Sequence, residues 1–350
     1  MGDAESSIYG NLGRLGDLPR ARLCHAPTPI EPMPNLGARL GDVRHYVKRD
    51  DCTGLALGGN KVRQLEFYFG EAVAKRADTI LITGAVQSNF ARLAAAAARK
   101  LGMDCHIQLE ERVAESDPAY RGSGNVLLDR ILGATLHSYS EGEDEIGADK
   151  RLHEIAAGLE TRGRRPYVIH LAPGHKPLGA LGYVVAAHEI VAQMADQDLS
   201  FDEVVVPSGS GNTHAGLLFG LRALGCPVRV TGICVRRPAA DQRGRIASRC
   251  REIAELLGLE PVVGDADICL IDEFLAPGYG RLNDPTVRAI ETAARSEALI
   301  LDPVYSGKTM AGFIHRAGEA GKGRALLFIH TGGAPAVFAY GTALTEALRQ

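Results

Sequence analysis

The chain has 350 residues, 45% of them hydrophobic and 23% charged, with a formal net charge of -3. That length supports a large core divided over two domains or lobes. The slight acidity excludes a global basic field for nucleic acid, and the absence of tryptophan with only 5% aromatics argues against a base-stacking platform. Seven cysteines, with no C-x-x-C among them, suggest neither a disulfide framework nor a zinc site, and fit a reducing, cytoplasmic setting. No secretory leader and no apolar run long enough to cross a bilayer is expected, so no membrane partner is either.

Residues 1 to about 20 are polar and Gly-rich and read as a loose arm. Met1-Gly2-Asp3-Ala4-Glu5-Ser6 fits a myristoylation pattern formally, but Asp3 and Glu5, with no basic patch nearby, make it a chance match. Pro27 to Pro34 is extended and irregular. Arg44–Lys48 reads as a short strand. A helix follows Lys61, with Val62, Leu65, Phe69 and Val73 on one apolar face. Thr79–Thr83 is a continuous apolar run, as a buried parallel strand requires. An alanine-rich helix, 91–101, comes next. Strands at 105–109, 135–137 and 167–171 alternate with helices at 124–132 and 149–160.

Beyond Gly174 come a long apolar helix, 179–194, and a strand, 203–207, that stops in Ser208-Gly-Ser-Gly-Asn-Thr213. Helices at 214–224, 243–257 and 284–297 and strands at 228–234 and 324–330 complete the chain. Alternating helices and apolar strands predict an α/β architecture of open, twisted parallel sheets.

Ligands in such sheets bind beyond the carboxyl ends of the strands. Gln87-Ser88-Asn89, Ser208–Thr213 and Thr331–Gly333 lie at three such ends. The second is a glycine-rich turn opening a helix, an anion site suited to phosphate, although taken alone it reads equally well as a plain turn. It is neither a Walker A loop nor a full G-x-G-x-x-G, which also counts against a nicotinamide dehydrogenase. Lys61 stands behind Gly58 and Gly59, with Asn60 as the expected N-cap. In the first helical turn the dipole disfavours its charge. On position alone it is a solvated lysine, as Ser88 and Asn89 are capping residues and Tyr279 and Tyr305 are edge tyrosines. Cys52 reads as a small packing residue, and the histidines and cysteines form no metal pattern. Lysine, phosphate loop and polar strand ends together suggest pyridoxal 5'-phosphate, held by its phosphate and as a Schiff base on Lys61, its ring an electron sink.

Gly-Gly-Asn-Lys61-Val-Arg-Gln-Leu-Glu, Gln-Ser-Asn89, Ser-Gly-Asn-Thr-His-Ala-Gly216, Ala-Pro-Gly-Tyr279-Gly and Asp-Pro-Val-Tyr305-Ser-Gly-Lys resemble the D-cysteine desulfhydrase and 1-aminocyclopropane-1-carboxylate (ACC) deaminase family. The resemblance implies a tryptophan-synthase β-like fold (fold type II). A smaller domain, 54–168, would be inserted in a larger one, 1–53 plus 169–350, with the cofactor between them in a homodimer. It implies Lys61 as the Schiff-base lysine and Asn89 at the cofactor's 3′-oxygen. Ser210, Gly211, Asn212 and Thr213 would hold the phosphate. Ser88 would lie near the substrate carboxylate or act in proton transfer, and Tyr279 and Tyr305 would face the substrate.

Two departures bear on the substrate. ACC deaminases carry a glutamate where this chain has Ser306. A hydroxyl partner to the ring nitrogen, Ser306 or preferably Thr331, gives a weaker electron sink, which suits β-elimination. Phe90 stands where relatives have a histidine or glutamine. The reading is therefore a lyase or deaminase acting on a small amino acid, foremost D-cysteine. ACC opening, sulfite elimination from cysteate and a biosynthetic β-replacement are its alternatives. A catalytically idle cofactor-binding protein is the reading outside that class.

Overall fold

The computed structural model describes residues 9–41, 44–114, 117–172, 174–321 and 323–349. In chain order these form β1 (Ile30–Pro32), α1 (Pro34–Leu40), β2 (Arg44–Lys48), α2 (Lys61–Ala74), β3 (Thr79–Ala85), α3 (Asn89–Lys100), β4 (Asp104–Glu110), α4 (Pro118–Gly122) and α5 (Gly124–Ile131). Then come β5 (Thr135–Tyr139), α6 (Glu145–Glu160), β6 (Pro166–Ile169), α7 (Leu178–Asp196), β7 (Glu203–Ser208), α8 (Asn212–Ala223), β8 (Arg229–Cys234), α9 (Ala239–Leu257) and β9 (Cys269–Ile271). The chain closes with α10 (Asp284–Glu297), α11 (Ser306–Ala320), β10 (Ala325–Ile329), α12 (Ala334–Ala339) and α13 (Gly341–Ala347).

The strands build two sheets, one of six in the order β1-β2-β10-β7-β8-β9 and one of four in the order β5-β4-β3-β6. All four strands of the smaller sheet are parallel. In the larger one only β1, which the sequence left in a proline-rich irregular stretch, runs antiparallel to its neighbour. Every residue of β3 is buried, which explains its unbroken apolar run. Helix α3 is capped by Ser88, whose Oγ accepts the Ala91 N–H at 3.1 Å. Its alanines at 91, 94, 95, 97 and 98 are buried, so the helix backbone lies close against its neighbours.

Helix α7 is long and apolar enough to cross a bilayer by length and composition, contrary to the sequence reading, with mean hydropathy 1.3. Two-thirds of that window, 67%, is buried inside the protein, so its apolar surface is spent on the core. Three further expectations differ. Tyr9, Leu12 and Leu15 are buried in the main core, so the chain from residue 9 is anchored rather than loose. The anchor is Glu66 of α2, which pairs with Arg20 at 2.5 Å and accepts the N–H groups of Leu23 and Cys24 at 2.8 and 2.9 Å. The possible myristoylation stretch lies outside the described residues. Val73 is half exposed, because the apolar face of α2 narrows at its end. Helix α11, starting at Ser306, was not foreseen.

Helix α2 is pinned by charges as well as by apolar packing. Arg63 is fully buried and donates to Asp50 at 2.9 and 3.1 Å and to Glu189 of α7 at 2.9 Å through each of two nitrogens. Lys48 reaches Glu189 at 2.5 Å and the Tyr183 hydroxyl reaches Asp50 at 2.5 Å. Burial alone would push the Asp50 carboxyl up, yet Arg63 and Lys48 outweigh it and hold it below its ordinary range. Removing one member leaves uncompensated charge in the interior. Arg63→Met is expected to lower stability by about 3–5 kcal/mol in urea unfolding at neutral pH. A loss under about 1 kcal/mol would mean that the cluster does not hold the helix.

Candidate functional site

Lys61, Ser88, Asn89, Phe90, Ser210, Gly211, Thr213 and Tyr305 line one pocket at the carboxyl ends of β3 and β7. An adjoining pocket shares Lys61, Ser88, Phe90, Ser210 and Tyr305 and adds Asn212 and Tyr279. Thr331 is not among the residues lining either.

Two glycines bring the lysine loop to its place. Gly59, at φ +123°, passes so close to Gly332 that a Cβ on Gly332 would stand 2.7 Å from the Gly59 Cα. The Asn60 N–H donates to the Thr331 carbonyl at 3.0 Å, joining the loop to the end of β10. From the other side the buried guanidinium of Arg92 donates to the carbonyls of Ala56 and Gly58. Asn60 occupies the N-cap position but does not cap with its side chain, which donates to Thr213 Oγ1 at 2.9 Å.

The Lys61 amine has no carboxylate within ion-pair distance among the described residues. It lies 3.4 Å from Gln64 Oε1 and 5.5 Å from the centre of the Phe90 ring. Burial without a counter-charge pushes its pKa down to about 8. A substantial fraction is therefore neutral near pH 8, the form that attacks carbonyl carbon.

The opposite wall suits a phosphate ester. Gly211, at φ +98°, turns the chain into α8, whose first N–H groups open on the pocket. Thr213 Oγ1 accepts from Asn60 and, at 2.8 Å, from Gln64. Both its lone pairs are then occupied, and its own proton is left for an acceptor elsewhere. Carbonyls of the loop are gripped from behind, Ser210 by Arg245 at 2.9 Å and Gly209 by Gln242 at 3.0 Å. Ser208 faces away, bonded to His214 and Gln242. Asn89 Oδ1 accepts from Asn125 at 3.0 Å, leaving its NH₂ free to donate into the pocket. The residues present thus fit pyridoxal phosphate.

The hydroxyls of Tyr279 and Tyr305 are 2.7 Å apart. Burial raises the pKa of both, so both stay protonated at neutral pH. One donates to the other, and one proton remains for a third group. The Tyr279 loop is held by Lys308, which donates to the carbonyls of Leu275 and Gly278 at 2.8 and 2.9 Å, and by the Tyr340 hydroxyl on Gly280.

Two sequence expectations are corrected. Ser306 is fully buried and spent on Asp302: its Oγ donates to Oδ1 at 2.6 Å and accepts the Asp302 N–H at 2.7 Å. It starts α11 instead of facing the pocket. The Thr331 hydroxyl, by contrast, makes no hydrogen bond among the described residues. Cys52 is exposed, not packed, and partial desolvation of its thiol together with the Asp51 charge raises its pKa, so it is not an activated thiol. Sequence reading also missed Arg92, Lys308 and the buried Asp129, whose carboxyl burial pushes up to about 7. The partners of Arg92 and Lys308 are distant in sequence, and Asp129 has no hydrogen-bond partner among the described residues, so no local pattern announces them.

The chain belongs to the pyridoxal-phosphate-dependent enzyme family, whose model matches residues 21–332. It is 43% identical over 334 residues to a D-cysteine desulfhydrase of Salmonella choleraesuis (strain SC-B67), covering 94% of this chain and 98% of the relative. A D-cysteine desulfhydrase of Salmonella typhi is 42% identical over the same length. A solved ACC deaminase homologue superposes with a TM-score of 0.86 at 38% identity, covering 97% of this chain and 98% of that one. The fold is therefore that of the type II pyridoxal-phosphate enzymes. An O-ureido-L-serine synthase, at 20% identity and a TM-score of 0.66, shares that fold.

The lowered pKa of Lys61 has a direct test. In cofactor-free protein, labelling of Lys61 by an amine-selective reagent, read by peptide mass spectrometry, is expected to reach half its maximal rate near pH 8. Labelling that still rises beyond pH 10 would show an ordinary, solvated amine.

Proposed function

We propose that the protein catalyses β-elimination on a small amino acid of the D-cysteine type, giving pyruvate, ammonia and the released β-substituent, sulfide in the case of D-cysteine. The observation that carries this reading is one pocket where the desolvated Lys61 amine shares its walls with the hydrogen-bonded Tyr279–Tyr305 pair and the phosphate loop. The near full-length likeness to D-cysteine desulfhydrases supports the choice of substrate.

Pyridoxal phosphate, when bound, supplies a ring that draws electron density away from the substrate Cα. Lys61 would hold it through its amine, and that amine, once freed, would take the Cα proton. Ser210, Gly211, Asn212 and Thr213 would hold the phosphate through loop and helix N–H groups and the Thr213 hydroxyl. Asn89 would donate to the cofactor's 3′-oxygen, and Thr331, with its hydroxyl unspent among the described residues, would serve the ring nitrogen in place of Ser306. Ser88 would lie near the substrate carboxylate or act in proton transfer. The Tyr279–Tyr305 pair places its spare proton at the departing sulfur. Phe90 closes the pocket beside the Lys61 amine with an apolar ring and keeps that amine dry. The released enamine takes up water to leave pyruvate and ammonia.

The smaller sheet lies within 54–168 except for Ile169, the last residue of β6, which supports a division into a smaller lobe, 54–168, and a larger one, 1–53 with 169–350. A homodimer and a cytoplasmic setting belong to the same reading. Turnover of D-cysteine by the cofactor-loaded protein, with sulfide and pyruvate in equal amounts, is the expected result. Tyr279→Phe is expected to lower kcat about 10²-fold or more, with the cofactor absorbance kept. Release of neither product from D-cysteine would remove it as the substrate. Undiminished turnover by the variant would remove the tyrosine pair from proton transfer.

A further inference from the structure

Two arginines line the substrate side of the pocket beside Tyr279, Arg112 after β4 and Arg236 after β8. Each side chain is only 6% exposed. Arg112 places Nε 2.7 Å and Nη2 2.6 Å from one and the same oxygen of Glu110. Its Nη1 makes no hydrogen bond among the described residues. Arg236 gives Nη1 to Glu145 at 2.7 Å and Nη2 to Glu143 at 3.0 Å, while its Nε is buried without a partner. A guanidinium carries five N–H donors, so both arginines keep donors unspent where water is scarce.

The charge balance has the same sense. The pocket is lined by Lys61, Arg112, Arg236 and Arg245, against Glu145 in the lining and Glu110 and Glu143 behind it, paired with Arg112 and Arg236. Arg245 is committed to the phosphate loop through the Ser210 carbonyl. Arg112 and Arg236 make no hydrogen bond to that loop, and their charges both act on the Tyr279 hydroxyl. The cofactor's phosphate therefore does not account for them.

We propose that Arg112 and Arg236 form a subsite for an acidic group carried on the β-carbon of the substrate, a sulfonate or a carboxylate. It deepens the β-elimination reading and rests on it. Two guanidinium groups lining one pocket with Tyr279 offer charge-assisted, directional hydrogen bonds that an uncharged substituent cannot use. With a β-sulfonate the step balances without a further reactant. The Cα proton passes to Lys61, and the Cα–H electron pair becomes the new carbon–carbon double bond. The Cβ–S bond breaks with its pair on sulfur, and sulfite leaves between the arginines. One water then converts the enamine to pyruvate and ammonia.

The test compares cysteate with β-chloroalanine, whose leaving group is uncharged on the substrate, using both enantiomers of each and the cofactor-loaded protein. Arg112→Gln and Arg236→Gln are each expected to lower the ratio of kcat/KM for cysteate to that for β-chloroalanine at least ~10-fold, and Arg112→Lys to restore part of it. Turnover of β-chloroalanine with no turnover of cysteate, or a ratio that neither variant changes, would overturn the subsite and leave the elimination reading standing. Failure to turn over β-chloroalanine at all would strike the elimination reading instead, and binding then decides the subsite. Aspartate, which has no leaving group, is expected to perturb the cofactor absorbance of the unaltered protein at a concentration ~10-fold lower than that needed for Arg112→Gln. Equal concentrations would overturn the subsite whatever the outcome for turnover.

Discussion

The buried ion cluster around Arg63 is the constraint on which the site depends. Arg63 follows Lys61 by two residues on the same helix, and its partners Asp50 and Glu189 belong to the larger sheet's surroundings and to α7. Charges survive in an interior only when they are paired with good geometry, so this cluster tolerates few alternative placements of α2. The position of the reactive amine is a by-product of that intolerance. The same cluster displays the contrast that makes Lys61 chemically distinct. Lys48 is buried too, and burial lowers its pKa, but Glu189 and Asp50 act in the opposite direction. Among the described residues nothing acts in the opposite direction at Lys61, and burial lowers its pKa.

The chemistry arises where three chain segments, each unreactive by itself, meet. The Gly59–Gly332 approach lets the lysine loop lie on the end of β10. The amides of Asn60 and Gln64 occupy Thr213 and orient its proton. Arg245 and Gln242 hold the phosphate loop open by taking its carbonyls. Glu145, at the start of α6, ties Arg236 and Arg237 of the loop after β8 and Arg245 of α9 to the smaller sheet's side at 2.7, 2.5 and 3.2 Å. The mouth of the pocket therefore lies on an ionic bridge between the two halves of the molecule.

The sequence disclosed what is local. The strand runs, the glycine turns, Lys61, the Ser88 cap and the Ser210–Thr213 loop are each contiguous motifs whose physics needs few distant partners. It concealed what depends on pairing across the chain. Arg63, Arg92, Lys308, Arg112 and Arg236 look like any solvated charge until Asp50, the Gly58 carbonyl, the Leu275 carbonyl and the pocket itself are brought to them. Tyr9, Leu12 and Leu15 sit in a polar stretch and gain their burial from an anchor on Glu66. Ser306 carried a resemblance-based role, yet Asp302, four residues earlier, takes its hydroxyl proton at 2.6 Å. Asn60 had the position of a helix cap, and its amide was drawn to Thr213 instead.

The central claim is that Lys61 is the cofactor-bearing amine. Borohydride reduction of the cofactor-loaded protein, followed by peptide mass spectrometry, tests it most directly. The account predicts a single stable pyridoxyl adduct, carried by the peptide that contains Lys61 and lost in Lys61→Ala. An adduct on Lys308 or any other lysine, or none after loading, would contradict it.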